Sequence, residues 1–198
     1  MMHFRLQVGY DLLMVKRTTQ LLKAMRQKQV VRFHTKWEYL WIHGVVLDIG
    51  PEFFVLASLN DGVEPDGYSC YHKKYIEDLE IDPHGDFVRA VLEKRKMKIA
   101  ESVHVSLRNR SEMMLSAGKA FPLVSIHREE VRSHVCHIGK VIHCNKSLVF
   151  LQEIAPGAIW NETIASYPLA EITRVNFGGG YEDALHLAGG TAPKLSAQ

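Results

Sequence analysis

The densest group of chemically reactive side chains lies in one predicted strand of the second half of the chain, where His134 and Cys136 are followed by Cys144. Imidazole and thiolate are ligands that Zn²⁺ prefers, so these three residues are candidate metal ligands. On a regular strand the side chains alternate between faces, and these three would share one face. The segment lacks the short Cys-x-x-Cys or His-x-x-x-His spacing that presents two ligands together, so we expect no resident metal or other cofactor.

A second group of residues combines aromatic rings with positive charge. It consists of Tyr71, His72, Lys73 and Lys74, between two predicted strands of the first half. Proteins recognise single-stranded RNA with aromatic rings that stack on bases beside cationic donors, so these four residues are candidate RNA contacts. Because Tyr is common in strands of any β fold, the alternative interpretation places the ring in the fold and the lysines in a solvated loop.

The two halves of the chain repeat one pattern of apolar segments and turns. Gly44 opens an apolar run in the first copy and Gly139 does so in the second, while His34 and His127 take equivalent places. A repeat of this kind predicts two copies of one structural unit. Residues that recur in both copies are usually required by the fold, so we predict a structural hydrogen bond for the two histidines.

Each copy contains five predicted strands, which alternate with turn residues. They span residues 30–34, 39–47, 53–59, 67–71 and 75–81 in the first copy, and 122–127, 134–144, 148–154, 163–166 and 171–177 in the second. Helical periodicity predicts helices at residues 10–26, 87–94, 111–120 and 181–187. The helix at 10–26 has a basic face, which we interpret as solvated.

A helix followed by five short, bent strands resembles the Sm-like (LSm) family of SH3-like barrels. The resemblance rests on Gly44 and its strand, the turn at Gly50, residues 53–56 and 76–81, and Gly139 at the matching place of the second copy. It implies a mostly β fold with short helices, built as two tandem five-stranded Sm-like or SH3-like barrels. Barrels of this family assemble through their edge strands, which implies an oligomer.

The resemblance does not extend to the RNA-binding residues of the family. Sm proteins that bind RNA carry an Asp and then an Asn after the bent strand, and an Arg-Gly or Lys-His pair in the last loop. Alignment on the glycine places Gly50 and Phe54 at the Asp and Asn positions in the first copy, and Asn145 and Val149 at those positions in the second. The chain is therefore similar to a diverged member that lacks this signature.

Composition adds few constraints on function. The 198 residues carry a net charge of +2, which creates no field strong enough to require a nucleic-acid partner. The apolar runs are too short to span a membrane, and three cysteines suit a reducing compartment, so we expect a cytoplasmic protein without a membrane partner. We divide the chain into a helix and first barrel (1–94), a linker and short helix (95–118), a second barrel with a terminal helix (119–188) and a disordered tail (189–198).

These observations favour a non-catalytic binding or interaction module that associates with a protein partner, or with itself, through its edge strands. Single-stranded RNA binding by the first barrel is the first alternative. A metal-dependent enzyme that uses the region around Cys136 is the second alternative, although no local catalytic motif is present.

Overall fold

The described residues are predominantly β, with one antiparallel sheet of ten strands and four α-helices. The computed structural model describes residues 2–194, and side chains from residue 13 onward. The strands are β1 (Val30–Thr35), β2 (Glu38–Ile49), β3 (Phe53–Leu59), β4 (Pro65–His72), β5 (Ile76–Ile81), β6 (Val124–His127), β7 (Cys136–Cys144), β8 (Leu148–Ala155), β9 (Ile159–Pro168) and β10 (Arg174–Phe177). The helices are α1 (Met2–Arg26), α2 (Gly85–Lys94), α3 (Arg110–Ala120) and α4 (Gly180–Gly189). The mostly β class predicted from the sequence is confirmed.

The strand order repeats between the two halves of the chain. It runs β5-β1-β2-β3-β4 in the first half and continues as β10-β6-β7-β8-β9 in the second. The halves are joined where β4 pairs with β10, with Tyr71 opposite Arg174 and Tyr68 opposite Phe177. The sheet is not closed, and β5 and β9 are its two ends. The division into two closed barrels therefore stays a prediction.

One hydrophobic core is shared by both halves. Its buried members include Val55 and Cys70 from the first half and Val175 from the second. The segment predicted as a linker contributes to the same core, because Val105 and Leu107 are 5% and 6% exposed. Apolar residues alternate with polar ones in this segment, so an extended chain turns one side toward the core.

Helix α1 packs against the strands of the first half of the chain through Leu21 and Ala24, which are fully buried. Part of its basic face makes specific contacts, since Arg17 Nη1 donates to the carbonyl oxygens of Lys73 and Lys74 at 3.3 and 3.0 Å. No helix among residues 2–194 has the length and apolarity needed to cross a membrane.

The described part of the predicted tail lies against β8 and β9. Trp160 Nε1 donates to the carbonyl of Gly189 at 3.0 Å, and Gln152 Nε2 donates to that of Pro193 at 3.1 Å. Gln152 is 2% exposed, so its amide needs partners within the protein. Residues 195–198 of the predicted disordered tail lie outside the described residues.

Candidate functional site

The candidate RNA contacts are mostly buried. Tyr71 and Lys73 are each 5% exposed, and of the four only Lys74 is exposed. His72 Nδ1 accepts the Lys74 N–H at 3.1 Å, and Lys73 Nζ donates to Thr18 Oγ1 at 3.3 Å. A base could not stack on the Tyr71 ring without opening the core. The segment thus offers one accessible positive charge and no accessible stacking surface among these four residues.

The candidate metal ligands do not converge. The pairing of β7 with β8 shifts between Val141 and His143, and the extra residue of this bulge turns later side chains to the other face. His134 and Cys136 are exposed, whereas Cys144 is buried, and burial raises the pKa of its thiol. The predicted shared face is wrong because of this bulge, and also because His134 lies in a turn before β7 instead of in the strand. Among the side chains of residues 13–194, no three or more His, Cys, Asp or Glu are grouped to hold a metal ion.

A polar network built on Arg174 joins the two halves where β4 meets β10. Its guanidinium lies 2.9 Å from Glu38 Oε2 and 3.1 Å from Glu129 Oε1, and it donates to His127 Nδ1 at 3.2 Å. The same group lies 5.6 Å from the Tyr71 ring centre. Burial would lower the pKa of Arg174, but the phenol and the two carboxylates raise it above its usual value. The predicted structural hydrogen bond is confirmed for His127. It is not found for His34, whose Nε2 is buried without a partner and whose Nδ1 lies 3.6 Å from Asp78 Oδ2.

The network makes stability depend on pH. Burial, together with the neighbouring Arg174 charge, lowers the pKa of His127 from 6.5 to about 3. As the pH falls from 6.5 toward 3, the unfolded chain binds a proton that the folded protein does not, so folding is destabilised by up to about 1.4 kcal/mol per pH unit. We expect His127→Gln to flatten the pH dependence of the urea midpoint in this window.

The exposed His143 supplies the control for that measurement, since His143→Gln should leave the slope unchanged. The pKa of His72 is also lowered, to about 4, by burial and by nearby cations. Both variants keep His72, so its contribution to the pH dependence of stability is the same in each. Equal slopes for His127→Gln and the unmodified protein would contradict a neutral His127 in the folded state.

A groove of about 420 Å³ runs along the same seam and receives side chains from both halves. Its walls include aromatic rings and carboxylates, among them Trp41, Tyr68, Asp66, Tyr181 and Glu182. Asp66 Oδ1 accepts the Gly180 N–H at 2.8 Å, at the first turn of α4, and the Ser125 hydroxyl donates to Glu182 Oε1. The groove is therefore a polar, aromatic site that exists only where the two halves meet.

The outer edge of β9 is the second candidate site. The N–H of Leu169, the residue after β9, donates toward β8 to the Ser147 carbonyl at 2.8 Å. Backbone N–H groups alternate in direction along a strand, so the odd-numbered residues from 163 to 169 face β8 and the even-numbered ones face outward. The N–H and C=O groups of Ile164 and Ser166 therefore point away from β8. Ile164 is 43% exposed, and the stretch from 163 to 168 contains no charged residue.

A polar cluster links Tyr167 of β9 to Glu153 of β8 and His137 of β7. The Tyr167 hydroxyl donates to Glu153 Oε1 at 2.6 Å, and His137 Nδ1 lies 3.0 Å from the same oxygen. Burial and the Glu153 hydrogen bond raise the pKa of Tyr167, so the phenol stays protonated at neutral pH. The arrangement stabilises the end of the strand and does not activate the phenol as a nucleophile or base.

Comparison with known proteins finds no matching family model, no similar curated protein and no similar solved structure.

Sequence reasoning missed the residues that form the seam. Arg174 stands in a predicted strand between apolar Ile172 and Val175, and a lone arginine in such a strand indicates a buried anionic partner. Glu182 follows the Gly178–Gly180 turn in the first turn of a predicted helix, where a carboxylate is favoured by the helix dipole. Neither pattern identifies the partner, because that partner comes from distant sequence.

Proposed function

We propose that the chain is a pair of diverged Sm-like units that acts as a non-catalytic interaction module, and that it binds a second copy of itself through β9. The repeated strand order in the two halves and the helix before the first strand support the Sm-like assignment. The observation that carries the binding proposal is the unpaired edge of β9, where residues 163–168 carry no charge.

The edge of β9 is self-complementary about Ala165. In an antiparallel pairing of two β9 strands, Ile164 faces Ser166 of the second copy, and each such pair exchanges two backbone hydrogen bonds. Ala165 then faces its own counterpart at the close, non-hydrogen-bonded position, where Cα atoms approach to about 4.5 Å and a small side chain fits. No like charges meet along this stretch. Such a contact is isologous and closes as a dimer.

The opposite end of the sheet is protected from the same kind of pairing. β5 carries Glu77, Asp78 and Glu80, and Asp78 adopts a φ of 48° within a bulge. Gln20 Nε2 also donates to the carbonyl of Leu79 at 3.4 Å. Charges, bulges and covering groups are the usual means by which proteins block an edge strand. These features favour a dimer through β9 over a ring that would also require β5.

We expect Ser166→Pro to abolish the dimer. Proline removes the outward N–H of Ser166 but none of the bonds between β8 and β9, so the fold is retained. Light scattering with size-exclusion chromatography should give twice the 22.5 kDa chain mass for the unmodified protein and the single chain mass for the variant.

Ser166→Ala keeps the N–H and serves as the matched control, which should remain dimeric. Circular dichroism checks that all three proteins are folded. An unmodified protein that remains at the single chain mass at every concentration, or a dimeric Ser166→Pro, contradicts the proposal.

The two alternative functions have less support. RNA binding is supported by only one exposed cation among the four candidate residues, Lys74. A salt titration with a short single-stranded RNA tests it. A metal-dependent enzyme is disfavoured because the candidate ligands lie apart, with Cys136 and Cys144 on opposite faces of β7. Metal analysis of protein purified without chelator or affinity tag tests that alternative.

A further inference from the structure

The groove at the seam contains a buried carboxylate without a cationic partner. Glu182 is 8% exposed and forms no ion pair with any described residue. One oxygen accepts the Ser125 hydroxyl, and the first turn of α4 supplies partial positive charge. A buried carboxylate normally requires a counter-charge, because its desolvation costs more than one neutral hydrogen bond returns.

A second carboxylate lies close to the first. An atom at the position of a side-chain carbon on Gly179 would be 2.8 Å from Glu182 Oε2 and 3.3 Å from Asp66 Oδ1. Both oxygens therefore border the space that a side chain at Gly179 would occupy, and Asp66 Oδ1 also accepts the Gly180 N–H. Neither Asp66 nor Glu182 is paired with a Lys, Arg or His of the described residues, in contrast to Glu38, which pairs with Arg174.

Aromatic rings form part of the wall, beside aliphatic and other polar side chains. Tyr68 stacks on Phe177 with ring centres 5.8 Å apart, and Tyr181 lines the groove with 57% of its surface exposed. Aromatic faces attract ammonium and guanidinium groups within about 6 Å of the ring centre. Of the described residues that line the groove, none is Lys or Arg. Negative charge and aromatic faces together match an organic cation.

We propose that the seam groove binds an ammonium or guanidinium group, with Glu182 and Asp66 as its anionic contacts and Tyr181 as its aromatic contact. The group belongs either to a small free amine or to a Lys or Arg side chain of a peptide. Both sources present the same chemistry to the groove. The site is distinct from β9, and it does not depend on the dimer.

Isothermal titration with 1,5-diaminopentane, agmatine and a short blocked peptide containing one lysine tests the proposal. Binding of either amine indicates a small free cation, and binding of the peptide alone indicates a basic side chain; both outcomes support the site. 1-Pentanol, which has the chain but no charge, should not bind. If none of the three cationic probes binds, the proposal is wrong.

Substitutions then locate the site. Glu182→Gln keeps the Ser125 hydrogen bond but removes the charge, and should weaken binding about tenfold or more, as expected for loss of a charged hydrogen bond. Asp183→Asn, in the same turn but exposed, is the matched control and should bind like the unmodified protein. Equal affinity of Glu182→Gln and Asp183→Asn overturns the proposal.

Two further variants keep the test independent of folding and of the dimer. Tyr181→Leu changes a largely exposed ring and should weaken binding while leaving the urea midpoint unchanged. Ser166→Pro should bind the cation as the unmodified protein does, so a failure of the dimer proposal is distinguishable from a failure of this one. Unchanged affinity in Tyr181→Leu contradicts the aromatic contact.

Discussion

Replacing Arg174 by Met is expected to lower the free energy of unfolding by about 3–5 kcal/mol, the range for removal of one partner from a buried ion pair. The Arg174 side chain is 15% exposed and that of Glu129 is 5% exposed. Loss of the guanidinium leaves the Glu129 carboxylate buried without a cation and removes the hydrogen bond to His127. Urea unfolding followed by circular dichroism measures the change.

Two controls separate the buried charge from the loss of packing. The double variant Arg174→Met with Glu129→Gln removes both charges and should recover a substantial part of the lost stability. Arg89→Met removes an exposed arginine that pairs with the fully exposed Asp86 and should change stability by less than about 1 kcal/mol. If Arg174→Met costs no more than Arg89→Met, the network does not hold the halves together.

Gly139→Ala should have the second largest effect, a loss of about 2–3 kcal/mol or a failure to fold. A side-chain carbon at Gly139 would collide with the backbone of β8. It would lie 2.9 Å from the carbonyl carbon of Gln152 and 2.9 Å from the Cα of Glu153. Backbone atoms of a paired strand cannot move aside as a flexible side chain does. Gly44 has the equivalent contacts in the first half, with the Ala57 carbonyl and the Leu56 side chain.

Gly85→Ala is the matched control for this prediction. It introduces the same methyl group, but its nearest neighbour, Val30 Cβ, lies at an ordinary contact distance of 3.6 Å. Its effect on thermal and urea unfolding should be within about 0.5 kcal/mol. A Gly139→Ala variant as stable as Gly85→Ala would contradict the proposed close approach of β7 and β8.

Much of the secondary structure follows from local pattern. The strand predicted at 53–59 is observed as Phe53–Leu59, and the helix predicted at 111–120 as Arg110–Ala120. Apolar periodicity and turn residues act over a few neighbours, so they can be recognised without knowledge of the fold. The repeat also marks Gly44 and Gly139 in the sequence. The structure shows that the paired strand approaches each of them closely, which the sequence does not contain.

The face of a residue beyond a bulge was not predictable in the same way. Cys136 and Cys144 are an even number of positions apart, which predicts a shared face on a regular strand. The bulge between Val141 and His143 reverses this, because the pairing with β8 accommodates one extra residue. Likewise, the sequence does not state that Tyr71 and Lys73 are buried, since their neighbours Arg174 and Thr18 come from other parts of the chain.

The sequence by itself determined the β class, the repeat and most of its elements, since these depend on interactions between near neighbours. Only the tertiary structure decided that β4 pairs with β10, that Arg174 meets Glu38 and Glu129, and that Glu182 lies in a groove. It also decided that β9 is an end of the sheet. Each of these facts depends on contacts between residues far apart in the chain, and the partner of such a residue is fixed by packing, not by the residues beside it.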